Sequence, residues 1–221
     1  MRPSRLGDAP NSFAGSFHAD LSRKNVISIS DGRTLRLEDF PLYPHRPDGD
    51  AALLARQRGL AALPAGTLGR EFLRWYETHR FALPGEADGL NTRFALAHDS
   101  LHLLSGYSTS PQGALLVSTC SAGAIGPSGF GAHILPVIFS FHLGLRLNDL
   151  AGTFHGALAP EKFWHAWERG AAMTTNYAES WEFWRVAPVP IAQLQRDYGI
   201  PPLAPAWAAD ETAPAAYRPM A

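Results

Sequence analysis

The sequence predicts an all-α fold, a multi-helix domain preceded by one small β-hairpin. Two observations predict it. From about residue 50 to 200, apolar residues recur at three- and four-residue steps, the spacing that gives a helix one apolar face. Residues that start and stop helices bracket those runs: Asp50, Thr67, Asp88 and Ser110 before them, Gly106 and Gly199 after them. A chain of 221 residues is long enough to bury a substantial core.

Residues 1–25 mix Gly, Ser, Pro and charge without periodicity and read as a flexible N-terminal arm. Residues 26–49 read as hairpin and loop: Asp31-Gly32 stands between the alternating runs Val26-Ile27-Ser28-Ile29-Ser30 and Arg33-Thr34-Leu35-Arg36-Leu37. The helical domain spans 50–202. Asp50 caps a helix to about Ala62, and Thr67 starts another whose buried face is Leu68, Phe72, Trp75, Tyr76 and His79. Pro84-Gly85 breaks the chain, and Asp88 caps a central helix that runs to the Gly106 stop.

Ser110-Pro111 opens a helix to about Ala124, lined by the small residues Ala114, Ser118, Ser121 and Ala122. These suit close helix packing, or a slender ligand against the backbone. Ile134 to Leu143 is apolar nearly all round, as in a buried or lipid-facing helix. Pro160-Glu161 opens a long helix to about Val186, whose Trp164, Trp167, Trp181 and Trp184 suit core anchors or, alternatively, a membrane interface. A short helix from Pro190 to Tyr198 closes the domain, and residues 203–221 form an Ala/Pro-rich tail too poor in large apolar groups to fold.

Composition excludes several classes. A formal net charge of −1 leaves no electrostatic footprint for nucleic acid. The single cysteine, Cys120, excludes an internal disulfide. The N-terminal residues lack the apolar run of a secretory signal, and no window is long and apolar enough to span a membrane.

The candidate site lies on the central helix. At about 100° per residue, His98 and His102 point almost the same way and Asp99 falls within roughly a third of a turn of both. Two imidazoles and a carboxylate on one arc, beside an apolar stripe and flanked by Asn91 and Ala95, suit a metal or another polar ligand; a self-satisfied His-Asp-His network is the alternative.

A series of motifs carries a family resemblance. Leu63-Pro-Ala-Gly-Thr-Leu-Gly-Arg-Glu71 starts a helix, and His98-Asp99-x-x-His102-x-x-x-Gly106 follows. Then come Trp167-x-x-Gly170, Tyr177, Trp181-Glu182 and Leu194-x-Arg196-x-x-Gly199-Ile200. In this order the chain from about Leu60 to Pro202 resembles the coenzyme Q (ubiquinone) biosynthesis protein 4 family. The resemblance implies a helical bundle around an internal prenyl-lipid cavity, a homodimer, and peripheral attachment to the membrane that carries the quinone. It implies polyprenylated quinone precursors and other ubiquinone-biosynthesis enzymes as partners. It also implies a divalent metal ion and oxidative decarboxylation of the prenylated hydroxybenzoate ring, a lyase-type step.

The family's metal pattern adds a glutamate twelve residues after the second histidine, and this chain has Ala114 there. His98, Asp99 and His102 are therefore the metal ligands and catalytic residues carried over, a set that zinc or iron accepts more readily than magnesium. Gln112, Glu161, Glu168 or a water is left to complete it. Loss of the glutamate equally suits a non-catalytic lipid-binding scaffold. Arg70 and Arg93 are candidates for meeting a substrate carboxylate, and Ala114 and Ser118 for lining the substrate path. Ala-, Arg- and Gly-rich usage suggests a bacterial source, which would place the protein on the cytoplasmic face of the inner membrane.

Overall fold

A computed structural model describes residues 26–28, 34–36, 49–87, 89–126, 134–145, 154–175 and 181–209. The chain divides into two compact units, Met1–Asp39 and Phe40–Ala221. In the first, β1 (Val26–Ser28) and β2 (Thr34–Arg36) pair antiparallel, with Ile27 opposite Leu35. The expected Asp31-Gly32 turn and the arm before Val26 lie outside the described residues.

Among the described residues, the regular elements of the second unit are all helices. Asp50 accepts from the Leu53 N–H and caps α1 (Ala51–Arg58), which tightens into a 3₁₀ turn over Gly59–Ala62. Thr67 stands at the N-cap of α2 (Leu68–His79), but its hydroxyl donates to the Pro64 carbonyl instead of capping. The first N–H groups of α2 donate to the backbone carbonyls of Val189 and Ala187, while Glu71 accepts from Gly66. The entry to α2 is thus fastened to a segment some 120 residues later in the chain.

The central helix, α3 (Thr92–Ser105), starts later than the sequence suggests. Its cap is Asn91, whose Oδ1 accepts from Arg93 and Phe94; the expected cap, Asp88, lies outside the described residues. A tight turn is the reason. Glu86 N–H donates to Leu83 O, Gly89 N–H to Glu86 O, and a Cβ at Gly89 would fall 2.3 Å from Leu83 O. Helical geometry begins only once that turn is complete. Ten of the fourteen α3 residues are buried, so α3 is enclosed by α2, α4 and α8 and has no solvent face of any width. Gly106, at φ 82°, ends it in the left-handed conformation.

Ser110 and Pro111 start α4 (Pro111–Ile125) as expected, Ser110 Oγ accepting from Gly113. α4 packs closely against α6 (Pro160–Ala171), at Cys120 and Gly123. A Cβ at Gly123 would lie 2.3 Å from Trp167 O, and one at Gly170 would lie 1.9 Å from Cys120 O. Between them, α5 (Leu135–Phe141) buries Ile134, Val137, Ser140 and Phe141.

The long helix expected over Pro160–Val186 is two pieces. α6 stops at Ala171, and a short α7 occupies Phe183–Val186. Thr174 draws the chain aside, its N–H and hydroxyl donating to Tyr198 O and Asp197 O. The tryptophan expectation holds for one pair only: Trp181 and Trp184 are half-buried and packed against the core, whereas Trp164 is 60 % exposed and Trp167 is half-buried. α8 (Ile191–Asp197) ends at Gly199, φ 64°. The expectation of a loose tail from Leu203 fails for residues 203–209, which form a 3₁₀ turn at Pro205–Trp207 and bury Ala209. Residues 210–221 are outside the described set. Among the described residues, no helix is long and apolar enough to cross a membrane.

Candidate metal centre

The three predicted ligands converge. His98, Asp99 and His102 are 8 %, 4 % and 6 % exposed, and one donor atom from each lies within 4.8 Å of the others. Local geometry accounts for this: residues one and four apart on α3 share an arc, and enclosure of the helix on all sides buries that arc with the apolar stripe.

Neighbouring elements orient each ligand. Gly106 turns the chain so that the Tyr107 carbonyl lies 3.0 Å from His102 Nδ1. With Nδ1–H donating there, Nε2 is the ring nitrogen available to a ligand, the arrangement usual for a metal-bound histidine. The ring of His102 also lies 5.5 Å from that of Trp75 on α2. His98 stacks on Phe94 one turn earlier, rings 4.8 Å apart and 18° from parallel. Asp99 accepts a short hydrogen bond at Oδ2 from the phenol of Tyr76, also on α2 and 3 % exposed.

Burial sets the electrostatics. It pushes the Asp99 carboxyl up to about 7, against the pull of the Tyr76 hydrogen bond. It pushes His102 down to about 4; the Tyr107 carbonyl opposes that shift and nearby His79 adds to it. At neutral pH the His102 ring is neutral and the Asp99 carboxyl is near its midpoint, so a bound cation would draw off its remaining proton.

This donor set fits a metal. Two nitrogens and a carboxylate, all buried, match zinc or non-haem iron chemistry. Donors bonded to one ion at roughly 2.1 Å lie no more than about 4.2 Å apart, so small rotamer shifts draw the three together.

The other predicted residues are placed differently. Arg70 donates to the Ala61 carbonyl, 2.8 Å away, and Arg93 is exposed on the first turn of α3; neither is fixed toward the cluster. Ala114 is half-buried and offers only a methyl group, while Ser118 is fully buried on α4. Glu161 and Glu168 are exposed on α6, and the Gln112 amide donates to Ala157 O at 3.3 Å. His79 lies at the edge of the core. It is half-buried, with Nδ1 2.8 Å from Trp75 O and its ring stacked on Phe81.

Sequence reasoning placed Tyr76 on a buried face and did not assign it to the site. The available signal was its hydroxyl, since a buried tyrosine seeks a polar partner. Tyr107 was signalled by the helix stop before it. In comparison with known proteins, the chain matches no family model and no curated protein.

Proposed function

We propose that this chain is a ubiquinone-biosynthesis protein of the coenzyme Q biosynthesis protein 4 type. On this reading it binds polyprenylated aromatic intermediates and supports metal-dependent oxidative decarboxylation of the prenylated hydroxybenzoate ring. The convergence of His98, Asp99 and His102 within 4.8 Å in the interior carries the reading. Zinc or iron, when bound, supplies a Lewis acid for the ring carboxylate, and iron supplies redox activity as well. The chain's own residues do the rest. Tyr107 fixes which nitrogen His102 presents, Tyr76 fixes the Asp99 carboxylate, and the apolar residues around α3 exclude water.

A prenyl tail would occupy an internal hollow beside this cluster, and the protein would work as a homodimer among other enzymes of the pathway. Membrane-surface attachment is supported by three exposed large apolar side chains, Leu143, Leu145 and Trp164. One observation favours a non-catalytic lipid-binding scaffold instead: Ala114 supplies no donor where the family pattern has glutamate.

Metal content of the purified protein, with His98→Ala alongside, separates the two. The enzyme reading expects close to one zinc or iron per chain, falling about tenfold or more in the variant. A metal-free wild type that still binds prenyl lipid would leave the scaffold. Complementation of a strain blocked at ring decarboxylation then tests the chemistry itself.

A further inference from the structure

A site of two imidazoles and one carboxylate is one anion short of the family pattern. None of the anionic or amide side chains first considered is placed to make up the difference: Glu161 and Glu168 are exposed on α6, and the Gln112 amide is engaged by Ala157 O. The oxygen that does touch the cluster, at Asp99, comes from the neighbouring helix. Tyr76 on α2 is 3 % exposed, and its phenol oxygen is in hydrogen-bond contact with Asp99 Oδ2. Its ring is gripped by Phe72, Trp75 and Phe81, with centroids 4.8, 5.2 and 6.2 Å away, so the oxygen is aimed by packing rather than by its own bond.

We propose that Tyr76 is the fourth metal ligand of this chain, its phenolate joining His98, Asp99 and His102 on a single ion, and that the resulting site is selective for iron(III). The inference rests on the metal reading above and adds to it a ligand and a metal. Charge supports it: a phenolate restores the single negative charge that Ala114 removed. Donor type supports it too. Two nitrogens with two anionic oxygens form a harder set than the cysteine- or histidine-rich sites zinc prefers, and one suited to ferric iron. Ligation breaks the phenol O–H bond and forms the oxygen–metal bond. The proton passes to solvent, and no electron moves when the iron arrives as iron(III).

The experiment uses the full chain, stripped with a chelator and titrated with ferric citrate. The wild type is expected to develop the visible absorption band of a phenolate-to-iron(III) charge transfer, with tyrosinate ring modes in the resonance Raman spectrum excited in that band. Tyr76→Phe retains the ring packing, so it is expected to fold, to lose the band and to hold iron about tenfold less tightly or worse. Iron bound by the wild type without the band overturns the proposal and leaves the metal reading standing, as does a band that persists in Tyr76→Phe. Weaker iron binding by the variant when the wild type shows no band would reduce Tyr76 to a residue that positions Asp99. Failure of the wild type to bind iron overturns the proposal, and failure to bind zinc as well in a parallel titration removes the metal reading itself.

Discussion

Burial acts on Asp99 and His102 in opposite senses, and their titrations expose it. The carboxyl ionises near 4 in the unfolded chain and at about 7 in the fold, so the chain stripped of metal suffers no penalty from it below pH 4. As pH rises from 4 to 7 the unfolded state loses this proton first, and stability falls. His102 runs the other way. Its folded value of about 4 lies below the ordinary 6.5, so its contribution is complete above 6.5 and is lost as pH falls toward 4. From these two groups the metal-free wild type should show a nearly level stability profile between pH 4 and 6.5. Asp99→Asn removes one side of that balance. We expect it to be more stable than wild type at pH 8, on the order of 2–4 kcal/mol, with the gain vanishing near pH 4. Urea unfolding across that range in chelator checks it; a constant offset between the two proteins would sink the account. The three ligands were legible in the sequence because residues one and four apart on a helix meet by geometry alone. Tyr76 was not. Its contact with Asp99 spans 23 residues and depends on how two helices pack, which no local spacing encodes.

At the scale of elements, the strongest constraint is the crossing of α4 and α6, where backbone nearly touches backbone. A methyl group at Gly170 would sit 1.9 Å from Cys120 O and 2.8 Å from its carbonyl carbon, and neither can rotate away. Gly170→Ala must therefore part the helices, at a cost of about 3 kcal/mol or more. Gly59 makes the control. It lies in a right-handed conformation at φ −59°, and a Cβ there meets nothing within 4 Å, so Gly59→Ala should be neutral or stabilise by about 0.4–1 kcal/mol. Denaturant midpoints for the pair check both, and equal effects would refute the close-packing argument. Helix starts at Asp50 and Ser110 and stops at Gly106 and Gly199 were legible because each depends on one residue's own preference. The break after Ala171 was not, since α6 ends where Thr174 bonds to Asp197 and Tyr198 across the fold.

Across the helical unit as a whole, residues 200–209, which sequence composition dismissed from Leu203 on, tie two elements together. They run from the end of α8 across α6. Arg169 Nε and Nη2 donate to Pro201 O at 3.0 and 2.5 Å, Lys162 Nζ donates to Ala208 O at 2.6 Å, and Trp207 stacks on His165 with ring centroids 4.4 Å apart. Leu203 lies beside Gly106, where α3 ends and the chain turns to present the Tyr107 carbonyl to His102. Composition misjudged this stretch because Ala and Pro bury little area of their own. What holds it is supplied from elsewhere: a lysine, an arginine and an aromatic ring on α6. Truncation after Pro202 keeps the Arg169 anchor and removes the stack and the lysine bond. It should lower stability by roughly 2–4 kcal/mol, the worth of one aromatic pair and one charged hydrogen bond. Trp207→Ala alone should give about half of that. Because the segment borders the end of α3, truncation should also speed amide exchange at Gly106 and Tyr107 relative to α1, which the segment does not touch. Hydrogen exchange on the two proteins decides the matter. Unchanged protection at those amides would mean that the segment only rests on α6 and does not brace the turn that orients His102.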